Sequence, residues 1–154
     1  PYVSDGKDKS LMITRYGNLD ELLAISDIVS FHTPLTSETL SMANKSFFDK
    51  MKSTAILINT ARGQIFNIDD LYDALRSNII KAVGTDVLPI EPPEKTHPLI
   101  KAWRNDKKWL SGRLLITPHS AFYNRESFIE MREKAALEAK RVLEGFEPFN
   151  QVNC

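Results

Sequence analysis

The sequence has almost none of the residues that build disulfide-bonded or metal-bound folds. It contains one cysteine, Cys154, and three histidines in 154 residues. A single thiol cannot form an internal disulfide, so a reducing compartment is expected, with the cytoplasm as the default location. His32 and His97 do not stand at metal-ligand spacing with Cys154. We therefore expect no metal site and interpret both histidines as structural or solvent-facing.

An excess of charge of one sign is also missing. The 20 Lys and Arg residues balance the 20 Asp and Glu residues, which leaves a formal net charge of zero. Nucleic-acid-binding domains normally have a basic excess or a basic face, so no direct binding to nucleic acid is expected. No apolar run is long enough to span a bilayer, and residues 1–6 are typical of a turn rather than of a signal peptide. The composition predicts one soluble globular domain.

Short apolar runs alternate with amphipathic segments along the chain. The runs predict strands buried on both faces of a parallel sheet, at about 28–32, 55–60, 81–87 and 114–117. Helical patterns follow Asn18, Asn44 and Asn67, and a long helix is predicted over 124–144, where Gly145 ends it. This alternation predicts an α/β fold, a partial doubly wound (Rossmann) parallel sheet with flanking helices.

One segment departs from the alternation. Between Glu91 and Arg113 lie three prolines, two tryptophans and several basic residues. We expect a long irregular excursion with a short helical turn near Ile100–Trp103. Two interpretations remain open: a functional loop, or a surface loop pinned by Trp103 and Trp109. Its lysines and arginines are expected to be solvated rather than to form a binding patch.

Residues capable of chemistry follow the ends of the predicted strands. In an open parallel sheet, ligands bind beyond the carboxyl ends of the strands. Arg62 comes just after the second strand, Asp86 ends the third and is followed by Glu91, and His119 comes after the fourth. The sequence therefore predicts an arginine, two acids and a histidine at one rim of the sheet.

These residue types suit the reduction of a 2-oxo acid. Arg62 can bind the substrate carboxylate through two hydrogen bonds. His119 can donate a proton to the carbonyl oxygen near neutral pH. Glu91 beside it would orient the imidazole and favour its protonated form. The hydride has to come from a cofactor, because no side chain supplies one.

Three ordered motifs resemble the D-isomer-specific 2-hydroxyacid dehydrogenase family. They are residues 59–63, residues 84–87 running on to Glu91 and Pro92, and residues 117–119. The resemblance covers essentially the whole chain. It implies that Arg62 binds the substrate, that His119 is the catalytic histidine and that Glu91 pairs with it.

The same resemblance implies NAD as the cofactor. Asp86 matches the acidic residue that contacts the nicotinamide carboxamide, and Thr33 and Pro34 match the loop beside the adenosine. Thr60 and Ala61 match backbone contacts to the cofactor. The complete implied cofactor set is Thr33, Pro34, Thr39, Thr60, Ala61, Arg62, Asp86 and His119. NADP is left open, because the residue that reads the ribose lies outside this chain.

Two branches of the family are similar to different parts of the chain. Residues 2–6 and 127–133 resemble the C-terminal-binding-protein (CtBP) corepressors, whereas residues 121–123 resemble the D-lactate dehydrogenases. The family implies an NAD(H)-dependent oxidoreductase acting on a small D-2-hydroxy acid or its 2-oxo acid. The alternative is a nuclear, NAD(H)-sensing corepressor scaffold that binds partner peptides. A homodimer is expected in either case.

The family's phosphate-binding loop is missing, since the six glycines form no G-x-G-x-x-G motif. The family's separate substrate domain has no counterpart either. We therefore expect residues 1–154 to be the C-terminal part of a NAD-binding domain in a longer chain, without the first βαβ unit. Residues 147–154 would form a tail toward the substrate domain. Alone, the chain is expected neither to bind NAD tightly nor to turn over substrate.

Overall fold

The computed structural model describes residues 12–151. The turn expected at residues 1–6 and the end of the expected tail, residues 152–154, lie outside this part. Within it, four strands form one sheet in the order β1-β2-β3-β4, and every pairing is parallel. The strands are β1 (Ile28–Phe31), β2 (Ile56–Asn59), β3 (Ala82–Thr85) and β4 (Leu114–Ile116). The predicted α/β fold with a parallel sheet is confirmed, with each strand slightly shorter than predicted.

Asparagine caps begin the helices that the sequence pattern predicted. The described helices are α1 (Leu19–Ile25), α2 (Lys45–Asp49), α3 (Ile68–Arg76), α4 (Pro98–Arg104) and α5 (Arg125–Leu143). The side chains of Asn18, Asn44, Asn67 and Asn124 each accept a hydrogen bond from a backbone N–H in the first turn of α1, α2, α3 and α5. Such caps satisfy donors that a helix leaves unpaired at its start. At the other end of α5, Gly145 takes a φ of 84°, a conformation that glycine adopts without strain.

One face of the sheet forms the core. Leu57 and Val83 are buried with residues of α1 to α4 in a single cluster, whereas Ile56 and Ile58 on the opposite face are only half-buried. On β1, Ile28 is exposed. The expectation of burial on both faces is therefore wrong for the described residues. The physical reason is that most buried residues of α1 to α4 join the cluster on one face, which an apolar run alone does not reveal.

The excursion between β3 and β4 is held against α3 by aromatic contacts. It contains α4, which is longer than the predicted turn, and a 3₁₀ turn at Lys108–Leu110. The rings of Trp109 and Tyr72 meet edge-on with their centroids 5.9 Å apart. The Arg76 guanidinium lies 5.2 Å from the centroid of the Trp109 ring. Trp103 also packs against the core. The basic residues of the excursion at positions 101, 104, 107 and 108 are exposed, as expected.

The chain forms two compact units, Pro1–Pro118 and His119–Cys154. The first contains the sheet and its core. The second contains α5, none of whose residues is buried. In the second unit the chain after α5 folds back on that helix: Glu138 accepts a hydrogen bond from the Phe149 N–H, and the Arg141 guanidinium lies 3.8 Å from the Phe149 ring. Among residues 12–151, no helix combines the length and the apolar character needed to span a membrane.

Candidate active site

The carboxyl ends of three strands meet at one edge of the sheet. Asn59 of β2 is paired with Thr85 of β3, which is paired with Ile116 of β4. Adjacent strands lie about 5 Å apart, so the residues that follow these ends are neighbours in space. The registers bring together the turn containing Arg62, the start of the segment containing Asp86, and Thr117.

Asn59 holds the turn that presents Arg62. Its side chain is fully buried; its Nδ2 donates to the Arg62 carbonyl at 2.9 Å, and its Oδ1 accepts from the Ala61 N–H at 3.0 Å. The Asn59 carbonyl also accepts from the Asp86 N–H at 2.9 Å. Sequence reasoning treated Asn59 only as part of a motif. The available signal was an amide side chain at the end of an apolar strand, where a buried polar group needs partners.

Arg62 presents its guanidinium at the surface of the first unit. The residue is exposed, and its side chain donates to the Ala61 carbonyl at 2.7 Å. Thr60, beside Ala61 in the same turn, is exposed as well. An exposed guanidinium retains donors for a carboxylate ligand, because its planar fork has five N–H groups.

Gly63 allows the Arg62 turn to lie directly against the segment after β3. A Cβ atom at Gly63 would overlap the Leu88 carbonyl group and lie 2.5 Å from the Pro89 nitrogen. The turn and the segment that leads to Glu91 are thus in backbone contact. Sequence reasoning did not assign Gly63 a role, since the contact joins residues far apart in the chain.

Asp86 is buried at the end of β3 and held by β4. Its side chain accepts a hydrogen bond from the Thr117 hydroxyl, and the Thr117 N–H donates to the Thr85 carbonyl at 3.0 Å. A carboxylate fixed in this way has a defined direction at the edge where the predicted cofactor contact would lie. Thr117 is a further residue that sequence reasoning missed.

Glu91 is exposed and lies in the segment that follows Asp86. Its Oε1 accepts a hydrogen bond from the Leu88 N–H at 2.7 Å, which closes a short turn between these two residues. The Glu91–Pro92 peptide bond is cis. The carboxylate is thus held by backbone within its own loop.

His119 is the first residue of the second unit. It takes a φ of 54°, and its ring lies 6.4 Å from that of Phe122 in an edge-to-face arrangement. Phe122 in turn meets Tyr123 edge-on at 6.4 Å. Aromatic neighbours constrain the orientation of the imidazole. The pairing of His119 with Glu91 stays a prediction.

The loop after β1 is organised by threonine side chains. The Thr39 hydroxyl donates to the Pro34 carbonyl at 2.7 Å and accepts from the Thr36 N–H at 2.8 Å. Thr33 and Pro34 are exposed. In the part of the chain that the structure describes, no group of three or more His, Cys, Asp or Glu residues is placed to hold a metal ion.

A family model described as "D-isomer specific 2-hydroxyacid dehydrogenase, NAD binding domain" matches residues 1–121. The chain belongs to this family. The match includes β1 to β4, Arg62, Asp86, Glu91 and His119.

Two similar proteins are named as reductases of 2-oxo acids. The chain is 37% identical over 139 residues to a hydroxypyruvate reductase of Blautia hydrogenotrophica, covering 90% of this chain and 40% of that protein. It is 39% identical over 138 residues to a glyoxylate reductase of Aeropyrum pernix, covering 90% of this chain and 38% of that protein. The chain thus spans about two fifths of the length of these relatives.

Solved structures give the same fold. The crystal structure of D-lactate dehydrogenase with NAD⁺ from Lactobacillus jensenii superposes with a TM-score of 0.79 at 30% identity. That superposition covers the whole of this chain and 47% of the other. The predicted family and the predicted α/β dinucleotide-binding fold are confirmed.

Proposed function

We propose that this chain supplies the Arg62, Glu91 and His119 side chains of an NAD(H)-dependent oxidoreductase that interconverts a small 2-oxo acid and its D-2-hydroxy acid. The observation that carries the proposal is the backbone contact of Gly63 with Leu88 and Pro89. It joins the turn presenting Arg62, the proposed anchor of the substrate carboxylate, to the segment presenting Glu91, the carboxylate proposed to orient the acid–base group.

Each side chain has a distinct role in the proposal. Arg62 binds the carboxylate of the substrate and orients its carbonyl group. His119 donates a proton to the carbonyl oxygen during reduction and accepts one from the hydroxyl during oxidation. Glu91 orients the imidazole and stabilises its protonated form.

The residues at the sheet edge fit a nicotinamide cofactor. The Asp86 carboxylate, held by Thr117, is an acceptor suited to an amide N–H, and the Thr60 and Ala61 backbone lies beside it at the end of β2. Thr33, Pro34 and Thr39 would contribute the loop after β1. When bound, NAD(H) supplies or accepts the hydride that no side chain can provide. NADP remains open within the proposal.

An enzyme is favoured over a corepressor scaffold. The relatives reported above are named reductases and a dehydrogenase. Those names also suggest the substrates to test first, glyoxylate, hydroxypyruvate and pyruvate. We further propose a homodimer on the family resemblance and a cytoplasmic location on the single cysteine, with sedimentation velocity of the full-length protein as the test of its assembly.

The substitution Arg62→Lys tests the function in the full-length protein. Lysine keeps the charge but loses the bidentate fork, so kcat/KM for the best 2-oxo acid should fall by about 10²-fold or more, as expected for loss of a charged hydrogen-bonded anchor. NADH affinity, measured by fluorescence titration, should be retained.

Arg104→Lys, an exchange at an exposed position of the excursion, is the matched control and should leave kcat/KM unchanged. Full activity of Arg62→Lys would show that Arg62 is not the carboxylate anchor. Absence of oxidoreductase activity in the unaltered protein with all three acids would contradict the proposed function itself.

A further inference from the structure

The loop that carries Glu91 contains three prolines. Pro89, Pro92 and Pro93 lack an N–H group, and Pro98 begins α4 where the loop ends. These three positions donate no backbone hydrogen bond, and contacts at the two ends of the loop help to hold it in place. At the near end, that contact is the approach of Leu88 and Pro89 to Gly63.

The far end is held by both nitrogens of His97. Nδ1 accepts a hydrogen bond from the Leu99 N–H at 3.2 Å and so caps α4. Nε2 lies 3.0 Å from Oδ1 of Asp69. Since Nδ1 accepts, the proton of the neutral ring is on Nε2 and is donated to Asp69. The imidazole therefore joins the loop to another helix as well as to its own.

Asp69 belongs to the element that follows the Arg62 turn. From Arg62 the chain passes through the 3₁₀ turn Gly63–Ile65 to Asn67, the cap of α3, and Asp69 is in the first turn of that helix. The segments presenting Arg62 and Glu91 are thus joined twice, by the Gly63 contact at one end and by the imidazole–carboxylate contact at the other.

We propose that His97 and Asp69 form a latch that positions Glu91 for the reaction; the inference rests on the proposed function above. His97 and Asp69 are positioning residues, because neither is placed at the reacting groups. The latch defines where the loop returns to the body of the first unit, and hence where the turn from Leu88 to Glu91 is held.

The exposure of Asp69 allows an effect on loop positioning to be distinguished from an effect on folding. The side chain of Asp69 is 80% exposed, whereas that of His97 is 16% exposed. Exposed ion pairs contribute little to the free energy of unfolding. Removing the Asp69 carboxylate should therefore leave the fold intact while it frees the far end of the loop.

The test uses the full-length protein with variants that remove one contact at a time. Asp69→Ala removes the latch. His97→Asn keeps an acceptor for the Leu99 N–H but does not reach Asp69. Both should lower kcat about tenfold, since small displacements of catalytic groups are costly, while the KM for NADH stays the same. The thermal midpoint should stay the same for Asp69→Ala, whose side chain is exposed. Asp69→Asn keeps an acceptor for the imidazole N–H and should restore most of the lost kcat.

Asp73→Ala is the matched control. Asp73 is an exposed aspartate one turn further along α3, and its loss should change neither kcat nor KM. In a Glu91→Gln background, Asp69→Ala should cause no further loss of kcat, because there is no carboxylate left to position. An undiminished tenfold loss in that background overturns the proposal.

Amide hydrogen exchange at Leu88 gives a readout that does not require activity. The Leu88 N–H donates to Oε1 of Glu91, so its exchange reports whether the Leu88–Glu91 turn is held. Asp69→Ala should accelerate it several-fold. If the unaltered protein is inactive, the proposed function is wrong. The exchange of the Leu88 N–H then tests by itself whether the contact between His97 and Asp69 holds the loop. Unchanged Leu88 exchange, or faster exchange without any change of kcat in an active enzyme, overturns the proposal.

Discussion

Gly63 shows how one missing side chain can decide the geometry of a site. The backbone of Leu88 and Pro89 occupies the space that a Cβ atom on Gly63 would need. We expect Gly63→Ala to lower the free energy of unfolding by about 1–3 kcal/mol or more, because backbone has to shift to relieve the overlap. Urea denaturation followed by circular dichroism measures the change.

Gly17 is the matched control, since a Cβ atom there meets nothing within 4 Å. Gly17→Ala should change the free energy of unfolding by less than about 1 kcal/mol, and any change should be stabilising through the unfolded chain. Equal effects of the two substitutions would show that the Gly63 contact is not tight.

Glu91 and His119 are predicted to act as a pair in the full-length enzyme. Glu91→Gln removes the carboxylate that is proposed to orient the imidazole, so kcat/KM for reduction should fall by about tenfold or more. His119→Ala should lower kcat by about 10²- to 10⁴-fold, the usual contribution of a general acid–base group. Steady-state rates of reduction measure both effects. An unaltered kcat/KM in Glu91→Gln would contradict the pair.

At the scale of elements, asparagine caps determine where the helices start. Asn67 accepts from both the Asp69 and Asp70 N–H groups at the start of α3. Asn67→Ala should cost about 1 kcal/mol of stability, within the usual range for loss of a cap. Asn67→Ser keeps a side-chain acceptor and should retain most of this stability. Thermal or urea unfolding of both variants measures the difference. Equal losses for both variants would show that the cap hydrogen bonds contribute little.

At the scale of the whole molecule, one face of the sheet provides the core. Leu57 is fully buried in a cluster that includes residues of all four described strands and of α1 to α4. Leu57→Ala should lower the free energy of unfolding by about 2–5 kcal/mol through lost burial and the cavity left behind.

Leu137 of α5 serves as the control, since it is 64% exposed. Leu137→Ala should change the free energy of unfolding by no more than about 0.5 kcal/mol. Comparable losses at the two leucines would mean that the cluster around Leu57 is not the main source of stability.

The sequence alone determined the type and order of the elements and the residues at the strand ends. Helix caps and apolar runs act over a few residues, so Asn67 marked the start of α3 and the run at 55–60 marked β2. Because parallel strands share one carboxyl edge, position in sequence also placed Arg62 and Asp86 at a common rim. The motifs around them identified the family.

Only the tertiary structure decided which distant segments touch. Thr117 bonds to Asp86 across 31 positions, and His97 to Asp69 across 28. Which face of the sheet is buried was decided in the same way. Such contacts depend on which strands pair and on how helices pack, and the local spacing of apolar residues specifies neither. The physical reason is that local patterns specify elements, whereas the approach of Gly63 to Leu88 requires the completed fold.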